Sequence, residues 1–163
     1  MGRYRRPTPP ASPYITREGF DSLRNEEREL WQRRREVVKH LSAAAAEGDR
    51  SENAEYIYRK KQLREMDRRI RYLQKRLPQL KVVERSPEDR ERVFFGAWVT
   101  LSDLQGKPRS YRIVGSDEFD PARNWISVDS PMARALLKKA IDDVVAVRLP
   151  DGMAEYEIVE IRY

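Results

Sequence analysis

The sequence of 163 residues contains no cysteine and only one histidine, and it has no long apolar run. Without cysteine there are no disulfides, thiolate nucleophiles or iron–sulfur ligands. His40 is the single histidine, so no cysteine or second histidine can bind a metal ion together with it. No apolar stretch approaches the roughly 18 residues of a membrane-spanning helix, and the basic N-terminus lacks the apolar core of a signal peptide. These absences favour a cytoplasmic protein that does not associate with a membrane.

Charge is abundant but unevenly distributed along the chain. Lys and Arg number 33 against 27 Asp and Glu, a net charge of +6. Residues 1–85 hold 22 basic against 13 acidic side chains, a net of +9, whereas residues 86–163 hold 11 against 14, a net of −3. The basic half indicates a polyanionic partner such as nucleic acid. Arginine-rich helix faces in contact with solvent are the alternative explanation.

The N-terminal half predicts a helical hairpin. Residues 1–13 are basic and proline-rich, which predicts a flexible tail. Over residues 14–82, apolar residues recur at alternating spacings of three and four, the pattern of an antiparallel coiled-coil hairpin. Thr16 is the predicted N-cap of the first helix, and Pro78 predicts that the second helix ends or kinks near Leu77. The two predicted apolar stripes are Phe20, Leu23, Leu30, Val37, Leu41 and Ala44, and Leu63, Met66, Ile70, Leu73, Leu77 and Leu80.

The C-terminal half changes from helical to strand-like periodicity. Residues 83–92 are the predicted linker, and residues 93–163 are predicted to form a small α+β domain with an antiparallel sheet. Strand-like runs cover residues 93–101, 110–115 and 125–130, and a short helix is predicted to follow Ser130. Asp151-Gly152 between two further runs is a strong hairpin signal. The predicted fold class is therefore α+β, a long helical hairpin followed by a small sheet domain.

The predicted turn of the hairpin, residues 47–53, carries two acidic residues. It belongs to the segment GDRSENAEY, residues 48–56, which includes Asp49 and Glu52. Their spacing matches a capping box, which stabilises a helix by about 1 kcal/mol and has no chemical role. Alternatively, the long and narrow helical hairpin can bring the two carboxylates at its turn into a site that a globular domain cannot enter. The residues alone leave both interpretations open.

Four segments, in the same order over residues 14–163, resemble the Gre transcript cleavage factors. They are GDRSENAEY, REMDRRIRYL (64–73), VFFGAWV (93–99) and ISVDSPMARALLKK (126–139). The family has two branches, and one of them carries a larger patch of basic residues and acts on longer extruded RNA. The Arg50-Ser51 pair and the FFGAWV segment are more similar to that branch. The proline-rich tail and Pro78 have no match in the family pattern.

The resemblance implies a coiled coil followed by a domain similar to FKBP, and a monomer that binds bacterial RNA polymerase. The C-terminal domain is expected at the rim of the secondary channel, with the coiled coil inserted through it. The tip is then expected to stimulate endonucleolytic cleavage of nascent RNA in backtracked complexes. By resemblance, Asp49 helps to hold the second Mg²⁺ of the polymerase, and Glu52 orients or deprotonates the attacking water. The chain has no cofactor of its own and acts as an accessory factor, not as an enzyme.

Further candidate residues each have a structural alternative. Ser51, Asn53 and Tyr56 are predicted to support the tip, although turn formation and packing explain them equally well. Asp129, Ser130 and Pro131 match the segment associated with docking on the polymerase, but they also form a helix cap. A basic run is predicted to contact the 3′ segment of the RNA, or else to be a solvated face that pairs with Glu65 and Asp67. The run consists of Arg59, Lys60, Lys61, Arg64, Arg68, Arg69 and Arg71.

Two other functions compete with transcript cleavage. A channel-binding regulator would share the hairpin and the globular domain but would lack cleavage activity. A coiled-coil scaffold that binds nucleic acid would explain the basic half, but it gives no reason for paired acids at the turn.

Overall fold

The computed structural model describes residues 6–47 and 54–163, which form two compact units. One unit is the helical segment Phe20–Leu80. The other unit combines the N-terminal residues up to Gly19 with Lys81–Tyr163. None of the helices within the described ranges is long and apolar enough to cross a membrane.

Two long helices, α1 (Arg17–Ala46) and α2 (Ala54–Arg76), form the hairpin. The amide of Gly19 donates to Oγ1 of Thr16 at 3.0 Å, which confirms Thr16 as the N-cap of α1. The predicted apolar stripes are largely confirmed, since their central members are buried. These buried residues are Leu23, Leu30, Val37 and Ala44 in α1, and Met66, Ile70 and Leu73 in α2.

Two ion pairs between the helices show that they run in opposite directions. Nε of Arg34 lies 2.7 Å from Oδ1 of Asp67, and Nε of Arg69 lies 2.7 Å from Oε1 of Glu26. A later residue of α1 thus pairs with an earlier residue of α2, as the predicted antiparallel arrangement requires. The end of α2 also matches the prediction, because Arg76 is its last residue and Leu77–Gln79, which contains Pro78, forms a 3₁₀ turn.

The second unit contains a five-stranded sheet and one short helix. The sheet has the order β5-β4-β3-β7-β6, and only the β4–β5 pair is parallel. Val99, Leu101, Ile113 and Ile158 are fully buried on one face, where Leu136 of the helix also lies in the core. The elements are β3 (Trp98–Asp103), β4 (Pro108–Val114), β5 (Trp125–Ser127), α3 (Pro131–Leu136), β6 (Val144–Leu149) and β7 (Gly152–Arg162).

Two predicted strands are shorter than expected. The run over residues 93–101 becomes a strand only at Trp98, because the chain turns at Gly96, whose φ is +88°. The run over residues 125–130 ends as a strand at Ser127, because Ser130 caps α3. The β6–β7 hairpin at Asp151-Gly152 is present as predicted. The fold class is confirmed as α+β with a mainly antiparallel sheet, to which the β4–β5 pair adds one parallel neighbour.

A small parallel ladder joins the two ends of the segment predicted as the hairpin. Strand β1 (Tyr14–Thr16) pairs with β2 (Lys81–Val83), and both belong to the sheet unit instead of to the hairpin. The last residues of the predicted flexible tail are held in place. The amide of Ser12 donates to Oδ2 of Asp129 at 2.8 Å, and the carbonyl of Pro13 accepts from the amide of Lys81 at 2.8 Å.

Candidate functional site

The predicted tip lies between the end of α1 at Ala46 and the start of α2 at Ala54. The sequence places Asp49, Ser51, Glu52 and Asn53 in this segment, but residues 48–53 lie outside the described residues. Their roles therefore stay predictions. Tyr56, the first candidate beyond the turn, is half-buried in α2, and Nζ of Lys60 lies 5.8 Å from the centroid of its ring. These contacts agree with a packing role for Tyr56.

The predicted basic run divides into two groups, and the first group is engaged within the helices. Arg69 forms two hydrogen bonds with the carboxylate of Glu26, at 2.7 and 2.9 Å. Nη1 of Arg59 donates to Gln62 at 3.2 Å, while its Nε is buried without a hydrogen-bond partner. Both arginines are half-buried. Their geometry suits hairpin packing better than RNA contact.

The second group is exposed and consists of Lys60, Lys61, Arg64, Arg68 and Arg71. Successive residues of a helix are rotated by about 100°, so Lys60, Arg64 and Arg71 lie within a strip about 40° wide. Asp67 does not neutralise this strip, because its carboxylate pairs with Arg34 of α1. The strip extends for about 16 Å along the helix at 1.5 Å per residue, long enough to contact several phosphates.

The predicted docking residues have clear structural roles as well. The carboxylate of Asp129 holds the amide of Ser12, and Oγ of Ser130 accepts from the amide of Ala133 at 3.1 Å. The capping interpretation of Ser130 is therefore confirmed. Pro131 occupies the first position of α3 and is exposed, so it is available for contact with a partner.

An apolar groove lies beside these residues and was not predicted from the sequence. Two of its lining residues are Phe119, which is 60% exposed, and Trp125, which is buried. An exposed phenylalanine in a polar segment is the signal that could have revealed it. The lining residues are Tyr111, Phe119, Pro121, Asn124, Trp125, Ile126, Ser127 and Ser130.

The outer face of the sheet is crossed by alternating arginine and tryptophan side chains. Arg112 of β4 lies between Trp98 of β3 and Trp125 of β5 in the strand register. Its Cζ is 4.9 Å from the Trp125 ring centroid, and Cζ of Arg123 is 4.0 Å from the same centroid. A hydrogen bond from Arg123 lowers the pKa of Asp120, and that bond in turn raises the pKa of Arg123. These contacts fix the segment that carries the groove.

No group of three histidine or acidic side chains suited to a metal ion exists among residues 6–47 and 54–163.

Both halves of the chain match models of one protein family. Residues 13–82 match the N-terminal domain of the GreA/GreB transcription elongation factors, and residues 87–163 match the C-terminal domain. The chain therefore belongs to the GreA/GreB family of transcription elongation factors, as the four sequence segments predicted.

The relatives with high identity carry the name GreB. The chain is 58% identical to transcription elongation factor GreB of Yersinia pestis, over 93% of this chain and 90% of that protein. It is 56% identical to GreB of Pseudomonas aeruginosa, over 100% of this chain and 98% of that protein. Among solved structures, Gfh1 of Thermus thermophilus is similar at 25% identity and a TM-score of 0.42, over 92% of this chain and 98% of that chain.

Proposed function

We propose that this chain is an accessory factor of bacterial RNA polymerase that stimulates endonucleolytic cleavage of nascent RNA in backtracked elongation complexes. It acts in the cytoplasm as a monomer, with its sheet domain at the rim of the secondary channel and its hairpin inserted. The observation that carries the proposal is the match of both domains to the GreA/GreB family, together with paired acids in the turn segment. A new RNA 3′ end in the active centre then allows synthesis to resume.

The chemistry is assigned to Asp49 and Glu52. Carboxylate oxygens are the hard ligands that Mg²⁺ prefers, and the ion, when bound, stabilises the charge that develops on the attacking and leaving oxygens. Asp49 contributes a ligand oxygen, and Glu52 orients the attacking water or accepts its proton. Two carboxylates leave an octahedral shell incomplete, so the remaining ligands must come from the polymerase. The chain therefore has no cofactor of its own and is not an enzyme in isolation.

The exposed basic strip of α2 is the proposed contact for the extruded RNA. Lys60, Arg64 and Arg71 face the same way and follow the helix away from the turn. Phosphates bound along such a strip release counterions, so the contact gives affinity without base preference. Lys61 and Arg68 extend the same positive surface outward.

Docking on the polymerase is assigned to Asp129–Pro131 and the adjoining apolar groove. Ser130 lines the groove and caps α3 at the same time, so the cap also shapes the surface beside Pro131. An apolar groove with a polar edge is the usual composition of a protein interface.

The proposal is tested with backtracked elongation complexes that carry 5′-labelled RNA, incubated with Mg²⁺ in the presence or absence of this chain. We expect rapid shortening of the labelled RNA only when the chain is present, and no shortening of free RNA by the chain alone. Binding to the polymerase without RNA shortening would contradict the proposal and would indicate a channel-binding regulator. Tight binding to RNA without polymerase would indicate a scaffold instead.

A further inference from the structure

A large aromatic side chain, Trp31, lies on α1 outside the apolar stripe of the hairpin. It follows the buried Leu30 in the sequence, and 38% of its surface is exposed. One rotation of about 100° separates it from Leu30, so the indole lies at the edge of the helix–helix contact and keeps part of its surface exposed. It lines an open groove on the hairpin. The groove residues are Trp31, Arg34, Asp67, Ile70, Arg71 and Gln74.

The indole lies in the groove between an apolar side chain and an ion pair. Ile70, which is buried, is part of its lining. Arg34 is tied to Asp67 by the 2.7 Å contact between Nε and Oδ1, and its Cζ lies 5.9 Å from the centroid of the Trp31 ring. A guanidinium at this distance is weakly attracted to the face of the aromatic ring. The groove thus presents a partly exposed aromatic surface between an ion pair and an apolar side chain.

The exposed basic strip leads into this groove. Residues 60, 64, 67, 71 and 74 share one side of α2, and the last three of them line the groove with Trp31. Lys60 and Arg64 therefore continue the line of the groove toward the turn. Arg71 lies 17 residues from the start of α2, or about 25 Å along the helix axis at 1.5 Å per residue.

We propose that Trp31 stacks on a nucleobase of single-stranded RNA whose phosphates follow Lys60, Arg64 and Arg71. A positively charged track with an aromatic platform is the usual composition of sites that bind single strands without sequence preference, because every base has a flat face. The charge of Asp67 does not oppose RNA, since Arg34 neutralises it. The inference rests on the proposed function, and it adds a base-binding subsite about 25 Å from the start of α2.

The test compares cleavage in complexes with a short extruded segment of two or three nucleotides and a long one of about ten. Only the long segment has enough RNA to extend from the turn to Trp31. We expect Trp31→Ala to slow cleavage of the long complex at subsaturating factor by about fivefold or more, the loss that one stacked base implies. The short complex should be cleaved at the normal rate, and Trp31→Phe should retain most activity on both.

A matched control uses the other exposed aromatic of the hairpin near this level. Tyr72 is 44% exposed, and Arg69, which pairs with Glu26, lies over its ring with Cζ at 5.2 Å. Arg69 and Asp67 point to opposite flanks of α2, since they are two residues and about 200° apart. Tyr72→Ala is therefore expected to cleave the long complex as fast as the unaltered chain.

Four outcomes bear on the proposal. A Trp31-specific loss confined to the long complex supports it, especially if 4-thiouridine in the extruded segment crosslinks to the peptide that contains Trp31. Normal cleavage of the long complex by Trp31→Ala overturns the inference and leaves the proposed function intact. Equal losses on both complexes, reversed by a higher factor concentration, also overturn it and indicate a polymerase contact. Failure of the unaltered chain to stimulate cleavage overturns both.

Discussion

Glu118 accepts hydrogen bonds from both the backbone amide and the hydroxyl group of Thr16, the residue that caps α1. The amide contact is 2.7 Å long, and the same carboxylate accepts from the amide of Gly115 at 3.1 Å. Because Oγ1 of Thr16 also accepts from the amide of Gly19, one carboxylate fixes the cap, the first turn of α1 and the segment after β4. All of these residues belong to the sheet unit, which includes the chain up to Gly19.

This arrangement leaves room only for glycine at two positions. A Cβ atom at Gly115 would lie 2.3 Å from the backbone oxygen of Tyr14, whereas one at Gly19 would lie 2.5 Å from a side-chain oxygen of Glu118. A side chain can move aside more easily than backbone, so Gly115→Ala should destabilise the fold more than Gly19→Ala. We expect losses of about 2–3 and about 1 kcal/mol, measured by urea unfolding. Equal effects, or a larger effect at Gly19, would contradict the described contacts.

The stability of the hairpin depends on its buried stripe. Leu73 is fully buried, so Leu73→Ala should lower the free energy of unfolding by about 2–4 kcal/mol through lost burial and a residual cavity. Far-UV circular dichroism during urea unfolding measures this loss. The neighbouring exposed Tyr72 serves as the control, and Tyr72→Ala should cost less than about 1 kcal/mol. Similar losses at the two positions would contradict the assigned face.

The docking surface and the cap of α3 can be separated by mutation. Pro131 is exposed at the first helical position, where alanine is also tolerated, so Pro131→Ala should weaken polymerase binding without lowering Tm. Ser130→Ala should instead lower local stability by about 1 kcal/mol through loss of the cap. Anisotropy of fluorescently labelled factor measures binding. Leu104→Ala, at a side chain that is 82% exposed in the β3–β4 turn, should bind normally. Undiminished affinity of Pro131→Ala would remove it from the docking site.

The phenol of Tyr163 is expected to make the folded chain less stable at high pH. Burial raises the pKa of this phenol, which donates to the carbonyl of Arg92 and accepts from the amide of Phe94. The folded chain therefore holds the proton more tightly than the unfolded chain, where tyrosine titrates near pH 10. Its contribution to stability is fully present below about pH 10 and is lost as pH rises through the folded pKa.

The Tyr163→Phe variant isolates this effect from the other groups that titrate at high pH. It loses two hydrogen bonds and should be less stable at neutral pH, but its stability should fall less steeply between about pH 9 and 11. Unfolding free energies at several pH values measure the difference. Parallel curves for the two proteins would contradict the burial of the phenol.

The features that were predicted correctly have local signals. Spacings of three and four residues predict the buried stripes of α1 and α2, and Ser130-Pro131 predicts the start of α3. Asp151-Gly152 predicts the β6–β7 hairpin because the turn type requires residues of this kind. Each signal lies within a few residues of the element that it specifies.

The features that were missed depend on partners far apart in the sequence. Strands β1 and β2 have only three residues each, which is too short for a recognisable alternating pattern. In the ladder, Ile15 pairs with Val82, which lies 67 positions later in the sequence. Thr16 and Glu118, which are joined by hydrogen bonds, are 102 positions apart, and no local sequence pattern predicts this contact. Arg68 and Arg69 are neighbours with the same charge, but their side chains point about 100° apart around α2. Arg69 therefore faces α1 and pairs with Glu26. The charge of a residue can be read from the sequence, whereas its partner depends on its position around the helix axis.

We propose that the two acids of the turn segment, Asp49 and Glu52, supply the chemistry of RNA cleavage. The most direct measurement compares the unaltered chain with the Asp49→Asn/Glu52→Gln variant at saturating factor, in backtracked complexes with 5′-labelled RNA and Mg²⁺. Polymerase binding, measured in parallel by competition with the labelled chain, should be equal for both, because the substitutions keep the shape of each side chain. We predict rapid RNA shortening with the unaltered chain and loss of stimulation with the bound variant. Equal shortening by both proteins would contradict the claim and would move the chemistry away from Asp49 and Glu52.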